Sequence, residues 1–237
     1  MTDSANSSLF EPQNPVLRRL QALETFLTPQ RRARLAEILA QRTRKITVVV
    51  EDIHHPHNLA ALQRTCDACG IQDLHVIEVR TPYEVANRVS RGSEQWLTLH
   101  RHPGDNRERI RHCYESLKVQ GYRLAATSSH TGRPIDELDV STPVALLFGN
   151  EREGLPSATL AEVDELVTVP MYGFAESLNL SVAAAVCLFT LTNKLRRTTS
   201  DWGISPEEQA EILLDWTRNS IPNIEPIERR LFGEQKG

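Results

Sequence analysis

Cysteine is scarce in this chain, with four in 237 residues, and that excludes a small disulfide-stapled scaffold. Cys66, Cys69, Cys113 and Cys187 sit in helical or apolar surroundings, where buried or half-buried free thiols are expected. Cys66 and Cys69 share the spacing of a redox motif, but no second such pair exists to complete a zinc site. Long apolar runs are also missing, so no segment is read as spanning a bilayer. The opening MTDSANSSLFEPQNP lacks the basic-then-apolar pattern of a secretory leader. A cytoplasmic location with no membrane or DNA partner is the expectation. There is no strong charge of either sign: the net value is −4. Phosphate binding would therefore depend on local clusters. Basic residues gather at 31–45, 101–111 and 194–197, while acids dominate 207–234.

Nor is there a GxGxxG after the first strand or a P-loop lysine in GNEREG (149–154), which disfavours the usual nucleotide-binding Rossmann enzyme. What is present is an α/β rhythm. Residues 16–26 have helical apolar spacing. Thr28-Pro29 then supplies an N-cap and a first-turn proline for a helix to about residue 42. Ile46-Thr-Val-Val-Val50 predicts a buried strand, 59–69 a helix closed by Gly70, and 74–79 a second strand. A short helix is expected at 84–91 and a strand at 96–100. A helix follows at 107–120, then strands at 122–127 and 143–148 and a short helix at 157–165. Strand–helix–strand repetition implies parallel pairing with right-handed crossovers. A helix at 206–218 follows, and 219–237 is read as an extension.

The stretch VTVPMYGFAESLNLSVAAAVCLFTL (167–191) organises the rest. A strand ends at Pro170, which has no N–H to donate. A polar loop follows, and from Ser181 an Ala-rich helix is expected to be buried on several sides, capped by Ser177 or Asn179. Loops 52–58, 149–154 and 171–179 each follow a strand. In a parallel sheet they face one crevice at its carboxyl edge.

HHPHNLAALQRTCDACG, LLFGNEREGL and VPMYGFAESLNLSVAAAV resemble, in order and spacing, the three motifs of the SpoU branch of the SPOUT RNA methyltransferases. RRARLAEILAQRTRKITVVVEDIHHPHN is similar to the entry helix and first strand of TrmH-type tRNA (guanosine-2′-O)-methyltransferases. The resemblance implies a parallel-sheet SPOUT α/β fold with a C-terminal trefoil knot and flanking N- and C-terminal helices. In domain terms it implies an arm over 1–45, a methyltransferase domain over 46–197 and a helical extension over 198–237. It further implies S-adenosyl-L-methionine as methyl donor, RNA (here tRNA) as partner, and a homodimer sharing its active site.

Roles carry over residue by residue. Asn58 and Arg64 match the first motif's asparagine and arginine, Glu151 the second motif's glutamate, and Ser177 and Asn179 the third motif's serine and asparagine. These five are the candidate catalytic group. A guanidinium has no lone pair to offer at ordinary pH, so Arg64 is assigned to contacting phosphate and orienting the ribose hydroxyl. Gly149, Val169 and Leu178 match positions that bind the cofactor largely through backbone groups, with Thr127 a fourth; Met171 and Leu178 could cover the adenine. No metal is expected. His54, His55 and His57 occupy a run the family also has. The family's tRNA enzymes carry a basic residue on the last core helix where this chain has Leu195, between Lys194 and Arg196. The activity implied is tRNA ribose 2′-O-methylation at a D-loop guanosine. The alternatives are ribosomal-RNA methylation or a non-catalytic knotted RNA-binding protein.

Overall fold

A computed structural model describes residues 14–78, 92–103 and 107–233. The chain divides into two compact units, Thr43–Trp202 and a helical unit of Met1–Arg42 with Gly203–Gly237.

The central unit is built on a seven-stranded sheet, parallel at every pairing among the described residues. Its strands are β1 (Ile46–Glu51), β2 (Asp73–Glu78), β3 (Thr98–Pro103), β4 (Arg123–Thr127), β5 (Arg133–Pro134), β6 (Val144–Phe148) and β7 (Glu165–Thr168), in spatial order β3-β2-β1-β6-β4-β7-β5. β1 and β6 lie side by side in the middle, and every residue of both is buried. That is why ITVVVE and VALLF are mostly apolar with little alternation, Thr47 and Glu51 being the buried polar exceptions.

Helices cover both faces. α3 (Pro56–Cys69) packs on α6 (Leu180–Thr198), and Leu59, Leu62, Ala184 and Leu188 join Val48, Val50 and Leu146 in one core. On the other face α4 (Arg107–Val119) lays Cys113, Tyr114 and Leu117 against Val49, Ile77 and Leu147. α5 is the short Ser157–Leu160. α3 ends where Gly70 takes φ 80°, a left-handed conformation that costs glycine little.

The helical unit contains α1 (Pro15–Glu24), α2 (Pro29–Leu39), α7 (Pro206–Asn219) and α8 (Ile224–Phe232). Thr28 caps α2 by accepting the Arg31 N–H at 3.1 Å. Ser205 and Glu208 form a reciprocal capping box on α7. Arg42, 1% exposed, stacks its guanidinium 5.1 Å from the Trp216 ring.

Several boundaries differ from the expected ones. The strand expected over 167–170 starts earlier, at Glu165, because that carboxylate pairs with Arg123 at 2.6 Å beside it. The helix expected over 157–165 stops at Leu160, since Asp164 turns back to accept the Leu124 N–H at 2.7 Å. The strand expected at 96–100 is shifted to Thr98–Pro103. Trp96 belongs instead to a 3₁₀ turn, and Pro103 is tolerated because β3 is a sheet edge. β5 was too short for periodicity to reveal, and α8 falls within what the spacing suggested was an extension. The helix expected at 84–91 lies outside the described residues.

Candidate active site

Sheet order brings the loop after β1 beside the loop after β6. This is where strand succession reverses, and it is the place open α/β sheets use for ligands. β6 runs straight into Gly149, and a Cβ there would collide with the backbone of Gly154 and Leu155. The loop is therefore folded tightly on itself. Asn150 Oδ1 accepts the N–H groups of Arg152 and Glu153 at 2.9 and 2.7 Å, and the Gly154 N–H returns to Asn150 O at 3.0 Å. This turn aims Glu151 at the first loop. Its Oε1 accepts the Asn58 amide at 2.6 Å, and its Oε2 accepts the His54 N–H at 3.3 Å.

Asn58 is held in turn by the start of α3, where Pro56 occupies the first turn and the Asn58 N–H bonds to His55 O at 2.9 Å. Its carbonyl accepts a long contact, 3.4 Å, from Asn179 Nδ2. Asn179, not Ser177, is the cap of α6: its Oδ1 accepts the Ser181 N–H at 2.9 Å and the Ser181 hydroxyl at 2.7 Å. Three loops that are distant in the chain are thus joined through the line Glu151–Asn58–Asn179. Burial alone would raise the Glu151 carboxyl. The Asn58 hydrogen bond, backbone N–H groups of Glu151 itself and His54, and the nearby His55 ring outweigh it and hold the acid below its ordinary range.

Beside this line lies a cavity of about 440 Å³, within the range of small-molecule sites. Its wall includes Thr127, Gly149, Glu151, Val169, Ser177 and Leu178, so six of the nine candidate residues meet there; Met171 lines it too. Phe148 and Val167 give it an apolar floor. Thr127 fixes its own strand by donating its hydroxyl to Leu147 O at 2.9 Å. The lining carries Glu151, Glu153 and Glu176 against Arg152, a balance that suits a ligand with positive charge.

Arg64 stands apart. It is exposed on α3, six residues beyond Asn58 and so about 9 Å along the helix. It lines a second groove, about 670 Å³, together with Ala68, Ala185, Val186 and Phe189. Within one chain it does not reach the cavity wall. α6 is buried on several sides, as its composition suggested, through Ala184, Cys187, Leu188 and Leu191, but one face is open: Val182, Val186 and Phe189 are 47%, 38% and 67% exposed. Leu195 is fully buried, while Lys194 donates to the carbonyls of Asp136 and Leu138 at 2.7 and 2.8 Å. Arg196 reaches Cys69 O at 3.0 Å, and Arg197 faces solvent.

One part of the wall escaped the sequence reading. Ser128, Ser129 and His130, after β4, line the cavity. Their signal was the same as in the other loops, a polar run closed by a glycine (SSHTG) after a buried strand.

Comparison with known proteins gives a consistent picture. Residues 45–189 match the sequence profile of the SpoU rRNA Methylase family. The chain is 33% identical over 214 residues to a tRNA (guanosine(18)-2′-O)-methyltransferase of Borreliella burgdorferi, covering 90% of this chain and 96% of the relative. A crystal structure of the A. aeolicus TrmH/SpoU tRNA modifying enzyme superposes with a TM-score of 0.71 at 28% identity, over 81% of this chain and 97% of that one. The SpoU methyltransferase AviRb from Streptomyces viridochromogenes, solved in complex with the cofactor AdoMet, gives 0.58 at 26% identity, over 68% and 64%.

Proposed function

Because the chain belongs to the SpoU rRNA Methylase family, we propose that it is an S-adenosyl-L-methionine-dependent RNA ribose 2′-O-methyltransferase. Its substrate in this reading is tRNA, at the guanosine named for its relatives. The observation that carries the reading is the Glu151–Asn58–Asn179 line at the edge of a cavity of suitable size with an acidic lining. The choice of tRNA is supported by coverage: the match spans 96% of the Borreliella burgdorferi tRNA enzyme and 97% of the A. aeolicus one.

When bound, S-adenosyl-L-methionine would supply an activated methyl group: the C–S bond would break as the ribose O–C bond forms, leaving S-adenosyl-L-homocysteine, with the hydroxyl proton released to solvent. The chain's own residues supply position. Backbone groups at Gly149, Val169 and Leu178, with Thr127, hold the donor, and the carboxylates of the lining favour its positive charge. Asn179 and Ser177 orient the target nucleotide. Asn58 and Glu151 keep the first and second loops in register. Arg64 contacts the RNA phosphate and turns the 2′-hydroxyl towards the methyl carbon, so that alignment contributes most of the rate.

The reading includes a homodimer formed through the exposed face of α6. It is supported by Val186 and Phe189 beside Arg64 in the second groove, since a partner covering that groove would bring Arg64 to its own cavity. It also includes the domain division 46–197 with flanking arms, a C-terminal trefoil knot and a cytoplasmic location. No helix among the described residues is long and apolar enough to cross a membrane.

The test is methyl transfer from labelled S-adenosylmethionine to purified tRNA and to ribosomal RNA, followed by mapping of 2′-O-methyl sites. Label at the tRNA D-loop guanosine is expected. Label confined to ribosomal RNA would replace the substrate, and no transfer to either would overturn the enzyme reading.

A further inference from the structure

On the opposite side of the sheet from α3 and α6, the β2–β3 edge carries an unusual group of imidazoles. Asp73, His75 and Ile77 share one face of β2, and His100 and His102 share the same face of β3, set by the register His75↔His100 and Ile77↔His102. The His75 and His100 rings stack with centroids 4.3 Å apart and 14° between planes, and His102 lies parallel beyond, 5.5 Å from His75. The base of the stack is anchored. His100 Nε2 meets Asp73 Oδ1 at 2.9 Å, and Arg44 donates to the other oxygen of that carboxylate at 2.8 Å. Above the stack α4 lowers Cys113, 1% exposed.

We propose that His75, His102 and Cys113 form a binding site for a divalent transition metal, with zinc the first candidate. One ligand atom from each lies within 4.8 Å of the other two. His75 Nδ1 and His102 Nε2 face each other across a 3.2 Å hydrogen bond, so both rings must turn for their lone pairs to converge on one ion. That separation is close to the edge, about 3.3 Å, of a tetrahedron with Zn–N bonds of about 2.0–2.1 Å. The Cys113 sulfur needs only a modest side-chain adjustment to approach a third corner, and water from the open side of half-buried His102 takes the fourth. Two imidazoles and a thiolate are the donors of a borderline-soft ion, which argues against magnesium or calcium.

The surroundings favour the uncharged imidazoles a metal needs. Burial, and then the neighbouring His100 and His102 rings, disfavour a charged His75. The cysteine is the harder ligand, with burial and then the Glu51 carboxylate pushing its thiol up to about 12. The cation offsets that penalty, and the thiol proton is released to solvent when the Zn–S bond forms. Of the two facing ring nitrogens, the one that carries hydrogen in the metal-free pair passes it to its ring's other nitrogen through solvent. One proton therefore leaves per ion bound, and nothing is oxidised or reduced. The ion would tie β3, which has one neighbouring strand among the described residues, to the helix that covers it.

The site is separate from the cavity of the proposed reaction, and its test needs no methyl transfer. The full-length protein, freed of metal by chelator dialysis, is titrated with Co²⁺. One equivalent per chain is expected, with a sulfur-to-cobalt charge-transfer band in the near ultraviolet and intense visible bands of a tetrahedral site. Cys113→Ser should abolish the charge-transfer band. His102→Ala, at a half-exposed position on an edge strand, should weaken binding more than about 100-fold, since losing even an outer-shell partner costs about 10–100-fold. Cys69→Ser should leave the spectrum unchanged. In parallel, Zn²⁺ should raise the melting temperature of the wild type relative to chelator but leave that of His102→Ala where it was. Folded wild-type protein that binds no cobalt, or a charge-transfer band that survives Cys113→Ser, would overturn the site and leave a plain histidine stack.

Discussion

Asn58 and Glu151, 93 residues apart in sequence, are joined at 2.6 Å. This amide–carboxylate bond couples the loop after β1 to the loop after β6. The same carboxylate also receives the His54 N–H, so Glu151→Gln would set an amide N–H₂ group against one donor or the other. A hydrogen bond to a charged group contributes about 1.5–3 kcal/mol. Single-turnover methyl transfer by Glu151→Gln should therefore fall by about 10- to 150-fold, with the circular dichroism spectrum unchanged. Undiminished turnover would remove the coupling from the mechanism.

Arg64→Ala tests the division between binding and chemistry. Arg64 lines the second groove and not the cavity wall, so calorimetric titration with S-adenosylmethionine should give wild-type affinity. Turnover should drop by about 100-fold or more, the cost of a misaligned nucleophile. Weakened cofactor binding with intact turnover would reverse the assignment.

Gly149→Ala asks whether the cavity depends on close backbone approach. The added methyl would run into Gly154 and Leu155. Overpacking of this kind costs about 1–3 kcal/mol, so the melting temperature should fall and cofactor affinity should be lost together. A stable variant with normal affinity would mean the loop can open without consequence.

Phe189→Asp addresses the assembly. Phe189 is 67% exposed on a helix whose other face is core, so the substitution spares the fold. Burial of an aromatic anchor contributes about 2 kcal/mol or more at a tight interface. The dimer constant measured by sedimentation should weaken by about 30-fold or more, with turnover falling in step. A wild type that sediments as a monomer at all concentrations would exclude the shared site.

The depressed Glu151 carboxyl carries a signed pH dependence. Its folded form favours the charged state, so its contribution to stability is complete above the unfolded carboxylate range. That contribution is lost as the pH falls through the folded value. Thermal melts between pH 6 and 3 should show the wild type losing stability more steeply than Glu151→Gln at the acid end. Parallel curves would show that the bond contributes no net stability.

Much of this was readable from residue order, for identifiable reasons. Val48, Val50 and Leu146 lie in strands buried on both faces, so their runs show little alternation; Thr28-Pro29 and Gly70 mark helix ends by their own conformational limits. The convergence of Asn58, Glu151 and Asn179 followed from the rule that parallel strands put their loops on one edge. Other features depend on tertiary partners that local spacing does not report. Glu165 begins a strand because Arg123 is beside it, and Asp164 ends a helix because a neighbouring strand offers an N–H. His75, His102 and Cys113 are united only by the β2–β3 register and the placement of α4, and nothing in their separations along the chain announces it.

Asp52 is one of two residues other than glycine with positive φ among those described, at 55°. It is almost fully buried, and its N–H is tied to Ile77 O at 2.9 Å. A left-handed conformation costs an ordinary L-residue about 1–2 kcal/mol and aspartate less, and this one sits at the exit of β1, just ahead of Asn58. The direction in which the chain leaves the sheet is thus set by a single torsion held against its preference. Asp52→Gly would release that tension and remove a buried carboxylate with its own partner, while leaving the Asn58 side chain in place. The aim of the first loop could then be loosened without changing any group that touches the substrate.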